Sequence, residues 1–515
     1  MRKATCLVLI LALCTVAAHA GEVWQGQWLE ASSPDFVVIS ALGKRTTTQL
    51  VQELEDFRTL VGAVTNAGVL KERVPTRVYV FKGEVPEVGL TGIVIGYLHP
   101  GMRSNFAAVR VSRDMALSTS LQHEYTHFLM RNQGHQAYPK WYDEGLAEVL
   151  STVDLRNGRF TLGNALQGRM LDLARPGPWM PYSRVLDDSQ LMKMNELDNA
   201  RFYAQSWALV HYLTFGKPEA NFNAAFKQYL ADREQGTPPV PAFEKAFHED
   251  TATLDKTIRR YLEHAHYRRG ELNHPFDPDR IMVRDLSSGE VATQLAGLCM
   301  ATGRHEVAGK FADAALAVNP DNAAALVVHA DLLKIVGKYS EAEPLYSKAI
   351  ALEPSSDLHH LDFGEYWRDR AMRAGDDPVR HDLWAKARQE FYLANKLNDH
   401  NPETLANYGA SYVFEGTNPA KGLPTLELAH DLLPSNPQIK LMLAQMYIAV
   451  GQGPKARPLL QAVMAWETGK RAEFAGKLLS SIAGSTEPHG AAETGAGPVT
   501  SGGTAAPRMQ NPTHR

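Results

Sequence analysis

Two histidines and a glutamate stand at a spacing that suits metal chemistry. The stretch Leu121–Leu129 reads LQHEYTHFL, so His123 and His127 are four residues apart and Glu124 follows the first of them. On an α-helix these two imidazoles lie one turn apart on the same face, roughly 6 Å along the axis, and can meet on one metal ion. Glu124 lies about 100° further round the helix, where it can hold a water molecule on that ion. The pattern predicts a metal-dependent hydrolytic site with Glu124 as general base.

A second pair of acidic side chains follows at the same spacing. The segment Trp141–Glu148 reads WYDEGLAE and places Glu144 and Glu148 four residues apart, on one face of a helix. The histidine motif alone arises by chance, in a chain of this size, with a probability on the order of a few per cent, so the second pairing adds weight. We expect Glu144 to complete a three-ligand zinc site that stays open to water, and Glu148 to accept the outer N–H of a ligand histidine.

The two segments together resemble the gluzincin metallopeptidases, in particular the bacterial peptidase-MA-like proteins that carry tetratricopeptide (TPR) repeats behind the catalytic domain. The resemblance rests on His123-Glu124-x-x-His127 followed by Glu144-Gly145-x-Ala147, and it covers residues 30–270 loosely. It implies Zn²⁺ bound by His123, His127 and a glutamate of the next helix, with a glutamate as base. The 16 residues between His127 and Glu144 are fewer than in the familiar gluzincins. The sequence therefore leaves Glu144 and Glu148 both open as the third ligand.

A later amphipathic segment, Phe202–Leu213, offers an oxyanion donor. The peptidase-MA-like proteins carry a similar tyrosine-containing helix at this point, and Tyr203 is the residue that matches it. Its O–H would stabilise the oxyanion that forms when a peptide carbonyl is attacked. A core aromatic with a satisfied hydroxyl is the competing interpretation. The glutamate by which M1 aminopeptidases hold a substrate's amino terminus is missing from the look-alike Gly101–Asn105, so an endopeptidase is expected.

The residues that must position this site, 22–115, show a mixed α/β pattern. Strands are predicted over 36–39 and 77–81, with a helix over 46–64 between them, and further strands over 91–97 and 106–111. Since Phe106–Val111 ends just before the metal helix, it is our candidate edge strand for an extended substrate; an ordinary core strand is the alternative. The predicted fold class is an α+β zincin-like metallopeptidase domain followed by an all-α TPR solenoid.

Beyond residue 285 the sequence contains residues that recur at a fixed spacing. Four residues that suit closely crossing helices and their ends recur 34 positions later, which is the period of the TPR. The pairs are Gly303 and Gly337, Ala308 and Ala342, Ala315 and Ala349, and Pro320 and Pro354. Stacked helix pairs of this kind present a concave face that binds peptides or proteins. We therefore expect a protein partner, or the substrate itself, to bind there.

The N-terminus has the features of a secretory signal peptide. Met1–Lys3 is basic, residues 6–16 are apolar, and Ala18–Ala20 forms a small-x-small cleavage site. A lipoprotein signal ending at Cys14 is the alternative, disfavoured by the bulky Leu13 before it. No later stretch is long and apolar enough to cross a bilayer, so a periplasmic location is expected.

The composition is typical of a folded protein of several parts. With 44% hydrophobic and 21% charged residues the chain is not largely disordered, and 53 basic against 57 acidic residues indicate no nucleic-acid partner. The predicted order is a signal peptide (1–20), a catalytic domain (21–270), a linker (271–284), repeats (285–483) and a disordered tail (484–515). The predicted function is a secreted zinc-dependent endopeptidase. The alternative is a catalytically silent periplasmic TPR scaffold whose metal site is vestigial or structural.

Overall fold

The computed structural model describes residues 24–65, 74–92, 96–110, 119–133, 138–187, 194–217, 221–264, 267–467 and 469–483. They fall into two compact units, the first within Met1–Pro100 and Asn105–Ser287, the second within Gly101–Ser104 and Ser288–Arg515. The predicted signal peptide and the predicted tail lie outside the described residues. Among the residues described, no helix has the length and apolarity that a membrane span requires.

In the part of the first unit that the structure describes, nine strands form two sheets. They are β1 (Trp28–Ser32), β2 (Phe36–Ser40), β3 (Thr76–Phe81), β4 (Gly96–His99), β5 (Asn105–Arg110), β6 (Asp154–Arg156), β7 (Arg159–Leu162), β8 (Arg268–Glu271) and β9 (Met282–Leu286). Six of them form a sheet in the order β4-β5-β3-β2-β1-β9, and three form a second sheet in the order β6-β7-β8. The pairs β2–β3 and β3–β5 are parallel and the others are antiparallel.

The parallel centre of the large sheet follows from its sequence. Strands β2 and β3 are rich in β-branched and aromatic residues, and Val38, Ile39, Val78 and Val80 are fully buried. Parallel neighbours need a crossover, and helix α1 (Lys44–Val64) supplies it between β2 and β3. The strands predicted over 36–39, 77–81 and 106–111 and the helix over 46–64 are found with small shifts of their ends. Strand β4 shares only Gly96 and Tyr97 with the strand predicted over 91–97, of which 93–95 lie outside the described residues, and it continues to His99.

The prediction of Phe106–Val111 as the edge strand is wrong. Strand β5 pairs with β3 on one side and with β4 on the other, so its main-chain groups are already used. The edge of the sheet on this side is β4, which pairs antiparallel with β5 from Gly96↔Val109 to His99↔Phe106. Strand order depends on pairings between distant residues, which local hydrophobic patterns do not report.

The predicted linker 271–284 is mostly built into the first unit. Its first residue, Glu271, ends β8, and its last residues belong to β9, which pairs with β1 from Trp28↔Leu286 to Ser32↔Met282. Main-chain hydrogen bonds to a strand about 250 residues earlier hold this segment in the sheet. The division between the two units therefore falls between Ser287 and Ser288.

The other α-helices described in the first unit lie between β5 and β8 in the sequence. They are α2 (Thr119–Arg131), α3 (Lys140–Leu150), α4 (Gln167–Ala174), α5 (Tyr182–Val185), α6 (Glu196–His211), α7 (Phe222–Glu234), α8 (Pro239–Phe247) and α9 (Leu254–Tyr261). Trp141 of α3 is completely buried among aromatic rings of α7 and α8, among them Phe226 and Phe243 at 6.0 and 5.9 Å between centroids. This cluster fixes α3 within the unit.

The second unit consists of TPR-like helical repeats. Its helices are α10 (Ser288–Ala301), α11 (His305–Val318), α12 (Ala323–Ile335), α13 (Tyr339–Leu352), α14 (Asp357–Arg373), α15 (Val379–Leu397), α16 (Pro402–Glu415), α17 (Leu423–Leu432), α18 (Pro437–Ala449), α19 (Gly453–Trp466) and α20 (Lys470–Ala483). Gly303 and Gly337 both take positive φ, 72° and 80°, in the turns within the first two pairs. The four repeated alanines are fully buried, as close helix crossing requires. The repeat prediction is confirmed.

Candidate metal centre

Three possible metal ligands converge between α2 and α3. The Nε2 atoms of His123 and His127 lie 3.1 Å apart, and Oε2 of Glu144 lies 3.6 Å from the first and 3.3 Å from the second. Among the described residues, these are the ones whose ligand atoms gather closely enough to share a metal ion. The structure therefore groups Glu144, rather than Glu148, with the two histidines.

The sequence places these atoms by two local devices. His123 and His127 are one turn apart on α2, whose other side is anchored in the core by Leu121 and Leu129. Glu144 reaches them because α3 crosses α6 closely at Gly145. A Cβ at Gly145 would lie 2.4 Å from the carbonyl oxygen of Ser206, nearer than real atoms approach. Glycine at this position is thus a packing requirement that sets where Glu144 points.

The separations fit a zinc ion. Zinc binds histidine nitrogen and carboxylate oxygen at about 2.0–2.2 Å, so tetrahedral ligand atoms stand roughly 3.3–3.5 Å apart. The three measured separations, 3.1, 3.3 and 3.6 Å, lie around that value. Two imidazole nitrogens and one carboxylate oxygen are also a donor set that zinc prefers. Two Nε2 lone pairs facing each other repel, so this approach needs either a proton or a metal cation between them.

Asp143 and Arg131 lie behind His127. Nδ1 of His127 is 3.2 Å from Oδ2 of Asp143, without the alignment of a directed hydrogen bond. Arg131 in turn pairs with Asp143 through its Nε, 3.1 Å from Oδ2, and through its Nη2. Burial acts to lower the pKa of His127, but Asp143 and Glu144 outweigh it and raise that pKa to about 9. In the metal-free site the imidazole therefore carries a proton that a metal ion would displace.

The carboxylate of Glu144 is held in its charged form. Burial would raise its pKa, but contacts with His123 and His127 hold it well below its usual range. An ionised Glu144 is what a cation needs as its third ligand.

Glu148 does not make the contact predicted for it. Its Oε1 is 3.9 Å from Nδ1 of His123, too far for a hydrogen bond. The same oxygen accepts instead from Arg169 of α4, whose Nε lies 3.0 Å away. Glu148 is thus a neighbour of His123 rather than its hydrogen-bond partner. The carboxylate that comes closest to the outer nitrogen of a ligand histidine is Asp143.

Glu124 and Tyr203 lie in the surroundings of the centre. Glu124 is exposed, in contrast to the buried His127 one turn on. Tyr203 of α6 is partly buried, and burial followed by the charge of Glu144 raises its pKa to about 12, with smaller effects from Glu148 and Glu124. Its hydroxyl therefore keeps its proton at neutral pH and can donate. His211, at the end of the same helix, is buried with Nδ1 2.7 Å from the hydroxyl of Tyr261 and Nε2 3.0 Å from the carbonyl oxygen of Gly163, as suits a structural histidine.

Three neighbours of the site were missed by sequence reasoning: Asp143, Arg131 and Arg169. Asp143 directly precedes Glu144, and Arg131 stands four residues after His127, so spacing alone could have suggested both. Arg169 lies more than 20 residues beyond Glu144 on another helix, and no local pattern points to it.

Part of the first unit is similar to a protein family whose function is not described. A family model described as "Protein of unknown function (DUF1570)" matches residues 117–233, which contain the three converging ligands, Glu124 and Tyr203. No curated protein matches the chain. The likeness to gluzincins accordingly rests on the residues of the site.

Solved structures similar to the chain include repeat proteins. One is a thermophilic TPR protein of Thermus thermophilus, with 20% identity, 38% of this chain and 99% of that chain covered, and a TM-score of 0.33. A tetratricopeptide repeat protein of Parabacteroides merdae shares 14% identity over 62% of this chain and 100% of its own, with a TM-score of 0.30. Yeast Tom70 shares 16% identity over 58% of this chain and 63% of its own, with a TM-score of 0.31. The repeat assignment itself rests on the helix pairs described above.

Proposed function

We propose that this protein is a zinc-dependent peptidase whose first unit holds the catalytic site and whose repeats bind a protein partner or the substrate. The observation that carries the proposal is the triangle of ligand atoms from His123, His127 and Glu144, with sides of 3.1–3.6 Å. Zinc held there would polarise a carbonyl oxygen and lower the pKa of a water molecule towards neutrality.

Glu124 supplies the proton transfers in this proposal. It follows the ligand His123 on α2 and its side chain is exposed rather than committed to the core. Its carboxylate accepts the proton of the attacking water and passes it to the leaving amine. A carboxylate bound to the metal as a ligand would be a poorer base, and the grouping of Glu144 with the histidines leaves Glu124 outside the ligand set.

Tyr203 and strand β4 give the site its peptide-hydrolysing character. The protonated hydroxyl of Tyr203 donates to the oxyanion that develops on the attacked carbonyl. Strand β4 is the outermost described strand on its side of the sheet and packs against α2, so an extended peptide lying along it would run close to the ligands. Binding along a strand edge suits the interior of a polypeptide, which supports an endopeptidase. We also propose export to the periplasm, on the features of residues 1–20.

The test uses the full chain and the substitution Glu124→Gln. The variant is expected to bind one zinc ion per chain, as the wild type does, and to lose cleavage of casein and of a peptide library. The matched control is Glu234→Gln, which changes an exposed glutamate on α7. This variant is expected to keep both zinc binding and cleavage. Turnover retained by the Glu124→Gln variant would contradict its role as base.

A second candidate function is a catalytically silent periplasmic scaffold. The observation that favours it is the repeat unit, because stacked TPR-like helix pairs are protein-binding surfaces whatever the metal centre does. Under this proposal the ligand triangle holds a structural ion. Zinc present in the wild type at one ion per chain, with no cleavage of any library peptide, would favour the scaffold over the peptidase.

A further inference from the structure

Arg169 of α4 contacts three groups beside the candidate metal centre. Its Nε and Nη2 both donate to Oε1 of Glu148, the first at 3.0 Å, and its Nη1 donates to Oδ2 of Asp172 at 3.2 Å. The ring of Tyr203 lies with its centroid 5.2 Å from the guanidinium carbon. One planar cation thus joins a buried carboxylate next to His123 to the ring of the proposed oxyanion donor.

We propose that Arg169 is a positioning residue that fixes the geometry of the metal centre through Glu148 and Tyr203. The inference rests on the proposed function in two respects: that the ligand triangle binds zinc, and that Tyr203 donates to the oxyanion in peptide hydrolysis. Arg169 does not touch the ligands itself; it acts by holding the groups that lie beside them.

The first link runs through Glu148 to His123. The side chain of Glu148 is 4% exposed and that of Arg169 is 26% exposed, so the pair is largely withdrawn from water. A carboxylate buried in this way needs a charged partner to stay in place. Held by Arg169, the carboxylate stays against the imidazole of His123, with Oε1 3.9 Å from Nδ1, and limits where that ring can turn. Outer partners that hydrogen-bond ligand histidines contribute about 10–100-fold in metal affinity, so this longer contact is expected to contribute about tenfold, the lower end of that range.

The second link runs through the ring of Tyr203. A guanidinium near the face of an aromatic ring is attracted by it, and the contact restricts where that ring can turn. Since the same guanidinium is fixed by Glu148 and Asp172, the position of Tyr203 is tied to that of Glu148. A lysine keeps the charge but lacks the planar fork that makes these contacts together.

The other ligand histidine has a similar arrangement behind it. His127 is backed by Asp143, which is 1% exposed, and Asp143 pairs with Arg131. On both sides of the site the order is therefore imidazole, carboxylate, guanidinium. The repetition favours a role in orienting the ligands over a chance ion pair near the surface.

The experiment measures the zinc affinity of the full chain by competition with a fluorescent zinc chelator. Arg169→Gln is expected to weaken zinc binding about tenfold. The matched control is Arg175→Gln, because Arg175 pairs with the other oxygen of the same Asp172, at 3.0 Å, and is 53% exposed. The control is expected to bind zinc as the wild type does. Arg169→Lys should lie between the two, and it keeps the test available if the glutamine variant does not fold.

A double-mutant cycle separates positioning from a general loss of structure. If Arg169 acts through Glu148, the variant with both Arg169→Gln and Glu148→Gln loses no more zinc affinity than Glu148→Gln alone. Wild-type zinc affinity in Arg169→Gln, or losses in the double variant that simply add, would overturn the inference. A wild-type chain that binds no zinc would instead remove the proposed function, so the two failures are distinguishable.

A kinetic comparison tests the link to Tyr203. Arg169→Gln, measured at saturating zinc, is expected to lower kcat at least tenfold with little change in KM, because an oxyanion donor acts in the transition state. An equal kcat at saturating zinc would contradict the link through Tyr203.

Discussion

The crossing of α3 and α6 at Gly145 makes a strong prediction about the metal centre. In Gly145→Ala, the new Cβ would lie 2.6 Å from Cγ2 of Val210 and 2.4 Å from the carbonyl oxygen of Ser206. Carbon atoms pack at about 3.5–4.0 Å, so the two helices must separate by about 1 Å. Both neighbours are fully buried, and the backbone oxygen cannot turn aside as a flexible side chain can.

The size of the effect follows from this displacement. Overpacking of a core typically costs about 1–3 kcal/mol, against roughly 1 kcal/mol that alanine gains over glycine in a helix. A metal ligand must stand within about 0.2 Å of its ideal distance, and Glu144 is the direct neighbour of the substituted residue. Loss of a residue that hydrogen-bonds a ligand typically lowers metal affinity about 10–100-fold, and we expect displacement of the ligand Glu144 itself to lower zinc affinity by at least that much.

The assay combines zinc competition with amide hydrogen exchange of peptides from α3 and α6. Exchange reports local opening and does not require the whole two-unit chain to unfold in one step. The control is Gly168→Ala on α4, where a Cβ meets no atom within 4 Å, and neither zinc affinity nor protection should fall. Unchanged zinc affinity and unchanged protection in Gly145→Ala would refute the argument that this close approach sets the position of Glu144.

Two further predictions concern single side chains. Tyr203→Phe should retain zinc but lower kcat for a peptide substrate by about 10²-fold, as loss of one oxyanion donor does. An unchanged kcat in a stopped peptide assay would mean that Tyr203 is an aromatic residue of the core and not an oxyanion donor. Glu53 of α1 has a pKa raised to about 7, principally by burial, so the stability it contributes is full below its ordinary pKa of about 4.5 and is lost as pH rises through 7. Glu53→Gln lacks this dependence, so its free energy of unfolding should exceed that of the wild type by roughly 1–3 kcal/mol at about pH 8, with no such gain at about pH 4. Urea unfolding of both proteins at the two pH values measures the difference. An equal difference at both pH values would contradict the prediction.

Local patterns predicted much of the fold and of the site. The helical spacing of His123 and His127 needs only residues within one turn, and the 34-residue period needs only neighbouring helix pairs. Both predictions could be made from sequence because the contacts behind them are close along the chain.

Apart from Asp143 and Arg131, the features that sequence reasoning missed or left open depend on distant contacts. Glu144 and Glu148 share one helix face, and the choice between them depends on how α3 crosses α6, some 60 residues further on. The edge position of β4 and the place of β9 beside β1 depend on pairings that no local pattern records. Arg169 is near the site because α4 packs against α6, not because of its position in the sequence.

Diffraction from zinc-loaded crystals at the zinc absorption edge shows whether these three side chains bind one ion. We expect one anomalous peak at about 2.0–2.2 Å from Nε2 of His123, Nε2 of His127 and a carboxylate oxygen of Glu144, and we expect it to disappear in Glu144→Ala. A peak elsewhere, or one at this place that persists unchanged in Glu144→Ala, would contradict this expectation.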